Sequence, residues 1–123
     1  MSYSWKHYIS FAIELSGRTD EPALRSAISR AYYGAFCYSR NYLTNTSKIR
    51  TPKEDLGKIH ASVIDYLLES DDDDEKLAGQ HLSNLRRQRN RADYETNYIV
   101  QSENIIKLIG NANKVVEIID SFQ

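Results

Sequence analysis

The chain has 123 residues, of which 41% are hydrophobic and 27% charged, with 16 Lys and Arg against 17 Asp and Glu and a formal net charge of −1. That length suits a single domain over 1–123, with a core that needs neither disulfides nor metal. The near-balanced charge excludes a global pull toward nucleic acid or membrane, so any electrostatic function must come from local clusters.

Apolar residues recur at helical spacing along almost the whole chain. The segment 2–16 places Trp5, Tyr8, Ile9, Ala12 and Leu15 on one stripe, and Gly17 follows as a stop signal. A second helix opens at TDEPALRS, with Asp20 as cap and Pro22 in the first turn, where no backbone N–H is needed. Its stripe runs through Leu24, Ala27, Ile28, Ala31, Ala35, Tyr38 and Tyr42. The small residues Ala27, Ala31, Gly34 and Ala35 let another helix approach closely.

NTSKIR reads as a loop, and TPKE as a helix start: Thr51 caps, Pro52 is the first helical residue and Glu54 completes a capping box. Leu56, Ile59, Val63, Tyr66 and Leu67 form the third stripe. The acidic run from Asp71 to Glu75 favours a solvated loop or a helix N-terminus. A fourth helix is expected over 75–94, with Leu77, Ala78, His81, Leu82, Leu85 and Ala92 along it. ETNYIVQS breaks the pattern. Ser102 then caps a fifth helix carrying Ile105, Ile109, Ala112, Val116 and Ile119. No strand alternation or hairpin signal competes. The expected fold is all-α, an antiparallel up-and-down bundle of four to five helices.

Several chemistries are unsupported. The lone Cys37 lies in the apolar run YGAFCY and reads as buried packing, which fits a reducing, cytoplasmic setting. No stretch reaches the ~18–20 apolar residues of a membrane span, and MSYSWKHYIS lacks signal-peptide architecture. His7, His60 and His81 show no ligand spacing, and the acidic run lacks the glycine turn of a calcium loop, so no metal is expected. Walker and dinucleotide fingerprints are absent, and no cofactor is expected.

The fourth helix carries the one unusual cluster. Arg86, Arg87, Arg89 and Arg91 fall within LRRQRNRADYE. At ~100° per residue they fan around a helix, so at least one must face a neighbouring surface. Guanidinium groups bind phosphate bidentately. The plain alternative is a solvated helix with Arg89 and Asp93 paired at i, i+4. TSKIRTPK adds Lys48, Arg50 and Lys53, a basic loop that reads as surface or as RNA-backbone contacts.

SAISRAYYGAFCYSRNYL (26–43), followed by LRRQRNRADYE (85–95), resembles the HEPN superfamily, and more closely its small stand-alone prokaryotic members with an R-x-x-A-D-Y motif. The resemblance covers nearly the whole chain. It implies a helical bundle that dimerises and, in many members, a metal-independent endoribonuclease of toxin–antitoxin or antiviral defence systems. The partner antitoxin is often a nucleotidyltransferase, and other members are non-catalytic binding modules. The family signature is Arg, a polar residue, a three-residue spacer and His, met at the dimer interface by its copy. Carried onto this chain, it makes Arg89 the contact to the scissile phosphate, Asn90 its orienting partner and Tyr94 the residue in the histidine's place. Histidine titrates in water near 6.5 and tyrosine near 10, so a tyrosine there donates a hydrogen bond or proton and is a poor base. Arg86, Arg91, Arg30 and Tyr33 are the expected phosphate or RNA contacts, with Tyr32 and Tyr38 packing nearby. Five helical steps turn Tyr94 about 140° from Arg89, so the two do not share a face of one straight helix.

Three functions follow as expectations. The first is a homodimer that binds RNA or a nucleotide phosphate in its interface cleft and cleaves RNA through the substrate's own 2′-hydroxyl. The second is a non-catalytic HEPN module that partners a nucleotidyltransferase or other protein. The third is a helical interaction protein with solvated arginines.

Overall fold

The computed structural model describes residues 3–50 and 57–123. Five helices follow in order: α1 Lys6–Ser16, α2 Glu21–Asn45, α3 Gly57–Leu68, α4 Asp73–Tyr94 and α5 Ser102–Ser121, with no strand among the described residues. The expected all-helical bundle is the observed fold. Helix α2 is its axis, because it packs against each of the other four helices. Helix α4 lies against α2, α3 and α5.

The helix ends show which local signals act. Helix α1 stops before Gly17 as expected, although Gly17 keeps a right-handed φ of −79° and not the left-handed cap conformation. Asp20 occupies the N-cap of α2 without capping; its carboxylate accepts instead from Arg18 Nε at 2.9 Å. The acidic run resolves as a helix start. Asp72 caps α4 by accepting from the backbone N–H groups of Asp74 and Glu75, and the carboxylates of that first turn interact favourably with the positive end of the helix dipole. Helix α5 begins with Ser102 itself, and Gln101 is the N-cap. The expected start of α3 at Thr51, Pro52 and Glu54, with Leu56 in the stripe and Lys53 in the basic loop, lies outside the described residues.

The core is built from the expected stripes. Ile9, Ala12 and Leu15 of α1 and Ile105, Ile109, Ala112, Val116 and Ile119 of α5 are buried against Ala27, Ile28, Ala31, Ala35 and Leu43 of α2 or the packed faces beside them. Gly34 makes the close α1–α2 approach possible: a Cβ there would fall 2.7 Å from Ile9 Cγ1 and 3.1 Å from the Trp5 carbonyl oxygen. Cys37 is a free, buried thiol, pushed above its usual pKa by burial.

Two polar ties hold the frame of the site. Glu75 is 5% exposed and accepts from Ser70 Oγ at 2.8 Å, from Lys48 Nζ at 3.2 Å and from the Tyr42 hydroxyl at 3.3 Å. Lys48 is therefore a structural cation that joins the α2–α3 connection to the start of α4. The second tie closes the other end of α4. The Arg25 guanidinium donates to the backbone oxygens of Ala92 at 2.9 Å, Glu95 at 2.8 Å and Tyr98 at 2.6 Å. Carbonyls at a helix C-terminus lack intrahelical partners, and one α2 arginine satisfies them here. The arginine-rich last turns of α4 are thereby fixed against α2.

Candidate functional site

Arg89 points inward, from the face of α4 that packs on α2. It is only 8% exposed. Its guanidinium carbon lies 5.2 Å from the Tyr32 ring centroid and 5.1 Å from that of Tyr33, both on α2. Asp93 is its one carboxylate partner, at 3.7 Å. That pairing was the plain reading of the sequence, but it leaves the site unsatisfied: Arg89 Nε is buried with no hydrogen-bond partner, and so is Arg86 Nε one turn earlier. A buried donor without an acceptor is costly, about 1–3 kcal/mol, and more for a charged group.

His60 of α3 meets these arginines. Its ring stacks on Phe36 with centroids 4.2 Å apart and planes inclined by 10°. Tyr33 meets it edge-on at 5.9 Å. The hydroxyl of Tyr32 lies 2.6 Å from His60 Nδ1. Tyr32 is 0% exposed, and burial raises its hydroxyl pKa against the opposing pull of Arg86 and Arg89, so it stays protonated. Burial, then the charges of Arg86, Arg89 and Arg40, push the imidazole down to about 4. His60 is accordingly neutral at neutral pH. If Tyr32 donates to Nδ1, the ring proton sits on Nε2; in the opposite tautomer Nε2 is an acceptor.

Three helices thus assemble one site: Tyr32, Tyr33 and Arg40 from α2, His60 from α3, and Arg86 and Arg89 from α4. Among the described residues it holds three fixed positive charges, a neutral imidazole, a protonated buried tyrosine and one nearby carboxylate, Asp93. Its chemistry is that of an oxyanion receptor with one titratable nitrogen. The segregation of charge along the chain sets the background: no Asp or Glu occurs between Glu21 and Glu54, or between Glu75 and Asp93. Those stretches supply α2 and the arginine-rich part of α4, so the two packed helices share an excess of cations.

The expected site residues divide. Arg86, Arg89 and Tyr33 come together. Arg30 sits one turn before Tyr33 on α2, with its guanidinium 5.4 Å from the Tyr8 ring. Arg91 faces elsewhere: it pairs with Glu95 at 3.0 Å, lies over Tyr98 at 4.4 Å and borders a separate groove of about 220 Å³ with Lys107 and Asn104. Asn90 is exposed. Tyr94 is the last residue of α4 and is 77% exposed. A single chain therefore does not bring Arg89, Asn90 and Tyr94 into one pocket, in line with the 140° between Arg89 and Tyr94. Tyr38 packs away from the site and donates to Asp120.

His60 and Arg40 were not singled out by sequence. The partners of His60 are 20 or more residues away in the chain, and no local spacing marks them. The available signal was the position of His60 on α3, one residue after the stripe member Ile59, together with the carboxylate-free stretches.

Among the described residues no three His, Cys, Asp or Glu side chains gather to hold a metal, and no helix is long and apolar enough to cross a membrane. Compared with protein-family models, curated proteins and solved structures, the chain matches none.

Proposed function

We propose that this chain binds RNA, or another ligand bearing a phosphodiester, at the site formed by Arg86, Arg89, Arg40, Tyr33 and His60. The observation that carries the reading is the pair of guanidinium groups with buried, unpartnered Nε atoms beside, among the described residues, a single carboxylate. A phosphate oxygen accepting from them would satisfy both donors and offset the local excess of charge. The same residues leave little to recommend the site as a structural ion-pair network, which would need matching carboxylates.

The HEPN-like motifs extend this reading to a homodimer of that fold, acting in a toxin–antitoxin or antiviral defence setting. In cleavage the RNA 2′-hydroxyl oxygen would lose its proton and attack phosphorus, and the 5′-oxygen would take up a proton and leave as a hydroxyl, giving a cyclic phosphate end with no metal required. Arg89 would stabilise the charged phosphorane. Asn90 and Tyr94 would join such a site only from a second copy, because their own chain turns them outward. The outward Asn90 and Tyr94 favour a second reading, a non-catalytic module that binds RNA without cutting it or partners a nucleotidyltransferase.

One experiment tests the common core of both. RNA binding is followed by fluorescence anisotropy across a salt series, and cleavage is assayed in excess EDTA. Three neutralised phosphates predict a log–log salt slope of about −2 for a single strand. Binding with that slope and cyclic phosphate ends supports the nuclease. Binding without cleavage supports the module. No RNA binding at low salt overturns the proposal.

A further inference from the structure

The arginine site does not end at Arg89. Along α2, residues 30, 33, 37 and 40 follow a 3-4-3 spacing and share one face, about 15 Å long at 1.5 Å per residue. Arg30, Tyr33 and Arg40 on that face are each part-exposed. On the α3–α4 side, Tyr33 contacts Arg89 and His60. On the α1 side, Arg30 lies over the Tyr8 ring at 5.4 Å and Arg40 over the Trp5 ring at 6.0 Å. Trp5 and Tyr8 touch edge to face with centroids 4.9 Å apart, and both are part-exposed.

Among the described residues, neither Arg30 nor Arg40 forms an ion pair with a carboxylate, and Arg40 reaches only the Asn41 side-chain oxygen, at 3.4 Å. Each is flanked by an aromatic ring. Cations alternating with part-exposed aromatics match a polyanion whose charges are separated by flat, stackable groups. A duplex hides its bases and an acidic peptide has none to stack, so a single strand fits best.

We infer that the phosphate site continues along α2 as a track for single-stranded RNA, with Arg30 and Arg40 on the backbone and bases stacked on Trp5, Tyr8 and Tyr33. This rests on the RNA-binding reading above. It adds the strandedness, the direction of the strand away from Arg89 and the residues that hold it.

Trp5 is the single tryptophan of the chain, so the unmodified protein carries its own probe. Oligoadenylates from dinucleotide to octanucleotide are titrated while anisotropy of a labelled RNA and Trp5 emission are read in parallel. The track predicts that the octanucleotide binds at least about fivefold tighter than the dinucleotide and alone quenches Trp5. Arg30→Gln and Trp5→Leu should each weaken the octanucleotide more than the dinucleotide, by about fivefold or more for Trp5→Leu. Equal affinities with constant Trp5 emission would overturn the track and leave the phosphate site standing. Tighter octanucleotide binding with constant emission would also overturn it, since the strand would then leave by another face. Duplex RNA binding as tightly as the single strand would overturn the strandedness. No binding of either length would remove the RNA reading itself.

Discussion

The hydroxyl of Tyr32 lies 2.6 Å from Nδ1 of His60, which ties a buried α2 side chain to the imidazole beside the arginines. Burial, Arg86, Arg89 and Arg40 hold that imidazole at about 4, against 6.5 in an unfolded chain. The sign follows from proton counts. Above 6.5 the ring is neutral in both states. Between 6.5 and 4 the unfolded chain binds the proton and the folded one does not, so stability falls as pH falls. Below 4 the loss levels off. Urea unfolding at a series of pH values should show this decline in the wild type. In His60→Phe the decline over the same window should be shallower, although that variant loses the Tyr32 hydrogen bond, about 1 kcal/mol, at every pH. Parallel curves would mean that His60 does not titrate as its surroundings dictate.

A bound phosphodiester reverses the electrostatics at the same ring. His60 faces Tyr32, Tyr33 and Arg40 from α2 and Arg86 and Arg89 from α4, with Asp93 beside Arg89. An anion among these arginines offsets the charges that disfavour protonation. RNA binding should therefore take up a proton, and affinity should rise as pH falls toward 4, by up to about tenfold per pH unit. The diester itself keeps its charge over this range. Anisotropy titrations of wild type and His60→Phe between pH 5 and pH 7 check this. A pH-independent affinity in the wild type would place the phosphate away from His60.

The frame of this site was readable from sequence, and its centre was not. Leu24, Ile28, Ala31 and Ala35 announce α2 by spacing alone, because a helix that buries one stripe must repeat it. The acidic run announces the start of α4 because carboxylates there are favoured by the helix dipole. Local chemistry misled at Asp20, where Arg18 competes for the carboxylate, and at Ser102, where the cap falls one residue earlier. Arg89 stood out by composition, but its inward direction depends on which face of α4 meets α2. His60 was invisible because three different helices make its environment. Lys48 read as a surface cation because its partner, Glu75, is 27 residues away.

That Lys48–Glu75 pair gives a stability prediction. The Lys48 ammonium is held above its usual pKa, first by the hydrogen bond to Tyr42 and then by Glu75, against some desolvation. Lys48→Met would leave the buried Glu75 carboxylate with only hydroxyl donors. Lys48 is itself one-third exposed, so solvent reaches the pair and the full cost of a buried broken pair is not expected. The predicted loss is about 1–3 kcal/mol. Lys48→Met with Glu75→Gln should lose less than the sum of the two single variants, as chemical denaturation of the four proteins would show. Additive losses would mean that the two groups do not interact.

Tyr94 and Ile99 are 77% and 76% exposed, and both lie where α4 gives way to the connection before α5. Large apolar side chains left open so close together in sequence suit a contact with a second copy. In the proposed homodimer that contact would bring Asn90 and Tyr94 toward the partner's arginine site. Tyr94→Ser with Ile99→Ser should convert a dimer to a monomer in light scattering after gel filtration, with helicity retained. A wild type that is monomeric at high concentration would remove the dimer from the proposal. The proposed RNA site within each chain would then have to act alone.

Arg89 separates function from stability most sharply. Its guanidinium is desolvated, its Nε lacks a partner and its carboxylate stands off at 3.7 Å. Contacts with the faces of Tyr32 and Tyr33 offset part of that cost, roughly 2 kcal/mol each. A methionine fills similar volume, keeps contact with both rings and needs no acceptor. Replacing buried ionic groups by well-packed apolar ones is often neutral or stabilising. Arg89→Met should therefore be as stable as the wild type or about 1 kcal/mol more stable, while RNA affinity falls at least about tenfold through loss of a charged hydrogen bond. A residue kept at the expense of stability is one that a ligand needs. If Arg89→Met instead unfolds the bundle or loses several kcal/mol, the pairing with Asp93 and the two tyrosines is what Arg89 is for, and the phosphate site loses its centre.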